Sequence, residues 1–136
     1  MGGQLITYLW IALGSALGGV ARYGCSLLIA NWFGQTFPWG TLLVNVFGSF
    51  VIGFFATMTG PDGRLVVAPD VRLFVTVGIC GGYTTFSSFS LQTMTLVQDG
   101  EVVRAGMNVG ASVVLCLASV WLGHVAAAGL NVLRGG

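Results

Sequence analysis

One segment near the middle of the chain, Gly81–Ser90 (GGYTTFSSFS), most constrains how the chain can fold. It interrupts a long apolar stretch with two adjacent glycines and five serine or threonine residues. Lipid offers no hydrogen-bond partner to a loosened backbone, so irregular structure at membrane depth must be buried in protein or line a watery path. A polar, glycine-broken segment inside an apolar stretch therefore indicates a place where something polar sits or passes.

The scarcity of charged residues identifies the surroundings of this segment as membrane. Of the 136 residues, 55% are hydrophobic and only 7% are charged, whereas a soluble domain carries roughly 25% charged residues. So few charges cannot cover a water-facing surface, and the predicted class is an all-α integral membrane protein. The length allows about four spans of roughly 20 residues each. The net charge of +1 gives no basic surface for nucleic acid.

The apolar stretches predict four transmembrane helices in a single domain that covers residues 1–136. The predicted spans run about 5–29, 41–57, 71–97 and 102–125, and the third is the broken one. Span 1 contains Gly14, Gly18 and Gly19, a small-residue spacing that lets another helix approach closely. Span 4 carries small and polar residues that recur every three or four positions, which predicts a stripe along one helix face: Asn108, Ser112, Cys116, Ser119 and Gly123.

Basic residues near the span ends leave the orientation in the membrane nearly undetermined. The side with the termini and the second loop has Arg64, Arg72 and Arg134, and the opposite side has Arg22 and Arg104. Such residues normally set topology. Either something else sets the orientation, or the chain inserts both ways and pairs antiparallel with a copy of itself. Four short helices can hardly shield a polar path from lipid, which favours a closed homodimer.

Three motifs, taken together, are similar to one known family. Span 1 carries Gly18–Tyr23 (GGVARY), span 2 carries Gly40–Gly48 (GTLLVNVFG), and span 3 carries the broken segment Gly81–Ser90. With the chain length, the number of spans and the very short last loop, they resemble the Fluc (CrcB) family of bacterial fluoride channels. The resemblance covers essentially the whole chain.

The resemblance implies an antiparallel, dual-topology homodimer with two fluoride pores and a structural sodium ion (Na⁺) at the dimer centre. The sodium ion would be held by the backbone carbonyls of Gly81 and Thr84, and Arg22 would lie near the aqueous vestibule. The resemblance assigns the pore to these residues: Asn45, Phe86, Phe89 and Ser112. The chain departs from the family pattern at Gln92, Cys116 and Asn108, which leaves the details of its polar track open.

The residue types themselves suit a small anion that holds its water tightly. A pore must replace that water with hydrogen-bond donors and still release the ion. Asn45 offers amide N–H groups, and further predicted pore residues offer hydroxyls: Thr41, Thr85, Ser87, Ser88 and Ser112. Phe86 and Phe89 are neighbours on a helix, and their positive ring edges could face an anion. The alternatives are ordinary core packing of the rings and hydrogen bonding between helices.

The same sequence argues against an enzyme. Its carboxylates lie in loops or at their edges, its three cysteines form no CxxC pair, and no catalytic motif is present. We therefore predict a passive, fluoride-selective channel that exports toxic fluoride across the bacterial inner membrane. The alternative, a small dual-topology multidrug/proton antiporter, needs an acidic residue within a span. A membrane scaffold would explain the glycines but not the clustered donors.

Overall fold

The chain is mostly helical in the part that a computed structural model describes, residues 2–135. The helices are α1 (Gly2–Phe33), α2 (Trp39–Met58), α3 (Pro69–Leu73), α4 (Gly81–Tyr83), α5 (Phe86–Gln98) and α6 (Val102–Gly135). A π-helical segment, Phe74–Cys80, joins α3 to α4 without a turn. The side chain of Arg134, which entered the count of basic residues, lies outside the described residues.

Three of the helices are long and apolar enough to cross a membrane. They are α1, α2 and the part of α6 that runs to Leu133. Their large apolar side chains are widely exposed, for example Val20 at 74%, Trp121 at 61% and Leu117 at 64%. A soluble monomer rarely exposes such contiguous apolar surface, so this surface faces lipid or another protein.

The third span is divided into two halves that pack on different neighbours. Residues 69–83 run as one helical rod against α1, and α5 packs against α6. Between the halves, Thr84 (ψ 158°) and Thr85 (φ −153°, ψ 117°) are extended. The interruption expected from the Gly81–Ser90 segment is therefore present, and it falls just after the paired glycines.

Glycines bring α1 and the first half of span 3 into backbone contact. A Cβ atom added at Gly14 would lie 2.9 Å from Gly78 Cα, and one added at Gly82 would lie 3.0 Å from Ser15 Cα. Gly18 meets the backbone of Ile79 in the same way, whereas Gly19 faces open space. The predicted close approach along span 1 is thus confirmed for Gly14 and Gly18.

The long helices α2 and α6 pack side by side and fix the polar stripe of α6. Gly53 and Gly123 allow the two backbones to approach, and Ser119 Oγ donates a hydrogen bond to Val46 O at 2.7 Å. The stripe predicted in span 4 is buried except at Cys116, which is half-buried. The loop between α5 and α6 is a tight turn in which Gly100 has a φ of 80°.

Candidate functional site

The break in span 3 ends in a capped helix. Thr85 precedes the first residue of α5, and its Oγ1 accepts a hydrogen bond from the Ser88 backbone N–H at 3.1 Å. This threonine therefore satisfies one of the unpaired N–H groups at the start of the helix. The Thr85 and Ser87 hydroxyls lie 3.3 Å apart, so the predicted donors Thr85, Ser87 and Ser88 share one turn.

Asn45 on α2 braces this break from the side. Its Nδ2 donates to Thr85 O at 3.0 Å, and its Oδ1 accepts from the Thr85 backbone N–H at 2.8 Å. Asn45 thus binds both backbone groups of a residue that lies in the break. Asn45 was predicted as a pore donor, and the structure adds a second role, because one of its two N–H groups holds the backbone.

The carbonyls at the break differ in their hydrogen bonding. Cys80 O accepts from Thr84 N at 3.0 Å and Thr84 Oγ1 at 2.9 Å, and Gly82 O accepts from Arg22 Nε at 3.1 Å. Within residues 2–135, the hydrogen bonds found across the break do not engage the carbonyls of Gly81 and Thr84. These two are the carbonyls that the family resemblance assigns to sodium.

A surface cleft of about 390 Å³, called here the span-3 cleft, adjoins the break. Among its lining residues are Asn45, Gly81, Thr84, Thr85, Phe86, Phe89 and Ser112. Gly48, Ser49 and Ile52 of α2 line it too, so one face of this helix borders the cleft. Residues from three separate spans thus meet at one concave surface.

The two predicted pore phenylalanines lie together on this surface. The ring centroids of Phe86 and Phe89 are 5.3 Å apart and the rings are tilted by 57°. Phe86 is 78% exposed in a single chain. Such a ring on the wall of an open cleft is available to form contacts with an ion or with a second protein chain.

A buried hydrogen-bond network lies behind Ser112. Asn108 is 2% exposed, and its Nδ2 donates to Thr93 Oγ1 of α5 at 2.9 Å. Ser112 Oγ donates to Asn108 Oδ1 at 3.5 Å. The sequence places Asn108 in the polar stripe of span 4 and among the departures from the family, but it does not single out Thr93. The spacing of Asn108 and Ser112 by four residues was the available signal.

Several predicted residues lie outside the span-3 cleft. Thr41 lines a separate cavity of about 640 Å³ near the first and third loops, together with Gln92. Within the described part of the chain, Ser87 and Ser88 are not among the residues that line the cleft. Arg22, predicted near a vestibule, lies half-buried against the break.

Comparisons with known proteins agree with the motif resemblance. The family described as "CrcB-like protein, Camphor Resistance (CrcB)" matches residues 9–124. A relative from Opitutus terrae called "Fluoride-specific ion channel FluC" is 62% identical over 128 residues, which is 94% of this chain and 97% of the relative. Relatives with the same name from Methylocella silvestris and Rhodospirillum rubrum are 58% and 60% identical, over 94% and 93% of this chain and 98% of each relative.

Proposed function

This chain belongs to the CrcB family, and we propose that it is a passive, fluoride-selective channel rather than an enzyme. In this proposal it is a multi-pass protein of the bacterial inner membrane and exports toxic fluoride. The observation that carries the proposal is the span-3 cleft, where an amide, hydroxyls and two phenylalanines from three spans converge. The relatives named as fluoride-specific channels match this chain over nearly its whole length.

The chemistry of the cleft suits a dehydrated anion. Asn45 uses one N–H on Thr85 O, which leaves its second N–H as a donor for fluoride, and Ser112 adds a hydroxyl. The span-3 cleft contains no carboxylate among its lining residues within the described chain, so no negatively charged side chain there repels an anion. The edges of Phe86 and Phe89 supply weakly positive C–H groups, and their apolar bulk disfavours an ion that keeps its water.

We further propose that two copies of the chain pair antiparallel. In one chain the span-3 cleft is open on one side and Phe86 is 78% exposed. A second copy would cover this wall and exclude lipid from the ion path. A two-fold axis makes the two covered surfaces identical, so each chain would complete the other.

The carbonyls at the break fit the sodium ion that the family resemblance implies. A hard cation prefers oxygen ligands, and backbone carbonyls can supply them without any charged side chain. Neither Gly81 O nor Thr84 O accepts any of the hydrogen bonds found across the break in residues 2–135. In the proposed dimer, two chains would offer four such oxygens. A bound cation would tie the two breaks together.

Fluoride efflux from proteoliposomes, followed with a fluoride-selective electrode, tests the function. We expect liposomes that contain the wild-type protein to release fluoride and to retain chloride. Phe86→Ile and Phe89→Ile should each reduce fluoride flux by about tenfold or more. A loss of roughly 1.4 kcal/mol in the free energy that stabilises the ion in the pore already gives this factor. Phe33→Ile, a matched change in an exposed ring at the end of α1, should keep wild-type flux. Equal flux in all four proteins would remove the two rings from the mechanism.

Reporter fusions at the C-terminus test the paired orientation. An antiparallel dimer of one chain needs both orientations in the same membrane, so a pair of reporters, one active on each side, should both give signals. The two signals should be of similar strength, because the basic residues are nearly balanced. A signal from one side alone would reject dual insertion and leave the channel proposal standing on the efflux experiment.

A further inference from the structure

The direction of each hydrogen bond in the network behind Ser112 follows from its last acceptor. Phe89 O is a carbonyl and can only accept, and Thr93 Oγ1 lies 2.7 Å from it and donates its one hydrogen there. Thr93 Oγ1 must therefore accept from Asn108, so the Asn108 atom that faces it at 2.9 Å is Nδ2. The other amide atom, Oδ1, then faces Ser112 and requires a donor.

Ser112 is consequently left in a state unsuited to an anion. Its hydrogen is directed to Asn108 Oδ1, so its oxygen lone pairs are what remain for the span-3 cleft. Fluoride can be bound by this hydroxyl only if the hydrogen turns from Asn108 to the ion. Asn108 itself is 2% exposed and is not among the residues that line the cleft in the described part of the chain.

We propose that Asn108 is a positioning residue that competes with the anion for the Ser112 hydrogen. The inference rests on the proposed fluoride channel and adds to it a residue that acts without touching the ion. At rest, Asn108 holds the Ser112 hydroxyl turned away. When fluoride arrives, the hydroxyl turns towards it, and when fluoride leaves, the hydroxyl returns to Asn108.

The geometry makes this exchange easy. The distance from Ser112 Oγ to Asn108 Oδ1 is 3.5 Å. Asn108 Nδ2 lies only 2.9 Å from Thr93 Oγ1, and Thr93 Oγ1 lies 2.7 Å from Phe89 O. Hydrogen bonds between oxygens are usually about 2.7–2.8 Å, so the link to Ser112 is the weak one. The short bonds anchor the Asn108 amide, and the long bond is the one that can open. A competitor of this kind weakens fluoride binding and so speeds its release.

The test is the fluoride concentration that gives half-maximal current in planar bilayers. Asn108→Leu removes the competing acceptor. Thr93→Val removes the anchor, so that the Asn108 amide can turn over and donate to Ser112 Oγ. In both variants the Ser112 hydrogen becomes free for the ion. We expect the half-maximal concentration to fall by about two- to tenfold, the change that one net hydrogen bond makes to a binding equilibrium.

Each change is then repeated in a Ser112→Ala background, because Asn108 is proposed to act only through Ser112. There, neither Asn108→Leu nor Thr93→Val should shift the half-maximal concentration further. Thr95→Val is the matched control, since Thr95 lies on the same helix and its hydroxyl donates within that helix, to Leu91 O at 3.0 Å. It should behave as wild type.

The outcomes separate the two proposals. Shifts of equal size with and without Ser112 would mean that Asn108 and Thr93 only support the fold, and would overturn the inference. No shift in either variant of the Ser112 protein would overturn it as well, and Thr93→Val alone suffices if Asn108→Leu does not fold. A wild-type protein that carries no fluoride current would instead overturn the channel proposal itself.

Discussion

The two halves of the third span are held in place by different forces. The first half, residues 69–83, meets α1 through backbone contacts at glycines such as Gly78. The second half, α5, is held by side-chain hydrogen bonds, from Asn45 to Thr85 at its start and from Asn108 to Thr93 further along. Side chains such as Arg22 also bond to the ends of the first half, but its middle is fixed by close backbone packing on α1. The second half is fixed by specific polar side chains.

This difference separates support from chemistry. Close-packed backbone has one arrangement and resists small shifts, so the first half can hold the break at a constant position. Hydrogen bonds can exchange partners, so the second half can present donors that respond to an ion. The predicted pore residues Phe86 and Phe89 lie on the second half. We expect the first half to tolerate no added bulk at the glycines that contact α1, and the second half to be sensitive to the loss of polar atoms.

The largest effect is expected from Gly78→Leu in the first half. A Cβ atom at residue 78 would already lie 3.0 Å from Gly14 Cα and 3.2 Å from Ile11 O, and a leucine adds three more carbons. Rigid backbone cannot move aside as a side chain would, so the substitution should lower the free energy of unfolding by more than about 3 kcal/mol. The measurement is the yield of monodisperse protein in detergent, which we expect to fall almost to zero.

Gly19→Leu is the matched control for this prediction. Gly19 directly follows the packed Gly18 on α1, yet a Cβ atom there meets nothing within 4 Å. Leucine is a favourable residue in membrane-spanning helices, and the space at Gly19 is open, so the yield should equal that of the wild type. Normal yield from Gly78→Leu would show that the first half is not fixed by backbone contact, and the comparison between the halves would fail.

Sequence alone could predict the class of fold and the position of the break, because both depend on local composition. Few charges indicate a membrane protein, and the pair Gly81-Gly82 with the following hydroxyls indicates irregular backbone. The π-helical segment Phe74–Cys80 has no such local signal. Its wider helix belongs to a segment that packs on α1, and that contact is between residues far apart in the chain.

The site was predictable by residue type but not by role. Asn45 was singled out by the family resemblance and by its amide N–H groups, yet its bonds to Thr85 join residues 40 positions apart. Arg22 was assigned to a vestibule, and its bond to Gly82 O joins residues 60 positions apart. Periodicity identifies a helix face, whereas the partner across the helix interface depends on how the helices are arranged.

A smaller effect is expected from Asn45→Leu at the start of the second half. The change leaves Thr85 N–H and Thr85 O without the partners that lie at 2.8 and 3.0 Å. Two backbone groups that lose their hydrogen bonds should lower the free energy of unfolding by about 2 kcal/mol. The protein should still fold, with a lower thermal midpoint in detergent, but the break should shift. Fluoride efflux per folded protein should then fall by at least about a hundredfold, since this is the effect of losing roughly 2.7 kcal/mol of the free energy that stabilises the ion in the pore.

Asn131→Leu separates loss of stability from loss of function in this experiment. Asn131 also binds backbone on both sides of its amide, since Oδ1 accepts from Arg64 N at 3.0 Å and Nδ2 donates to Thr57 O at 3.4 Å. It lies near the second loop, away from the span-3 cleft, so its loss should lower the thermal midpoint by a similar or smaller amount while efflux per folded protein stays at the wild-type level. Equal efflux from the two variants would mean that Asn45 matters only as a brace, and that the second half, like the first, serves as support.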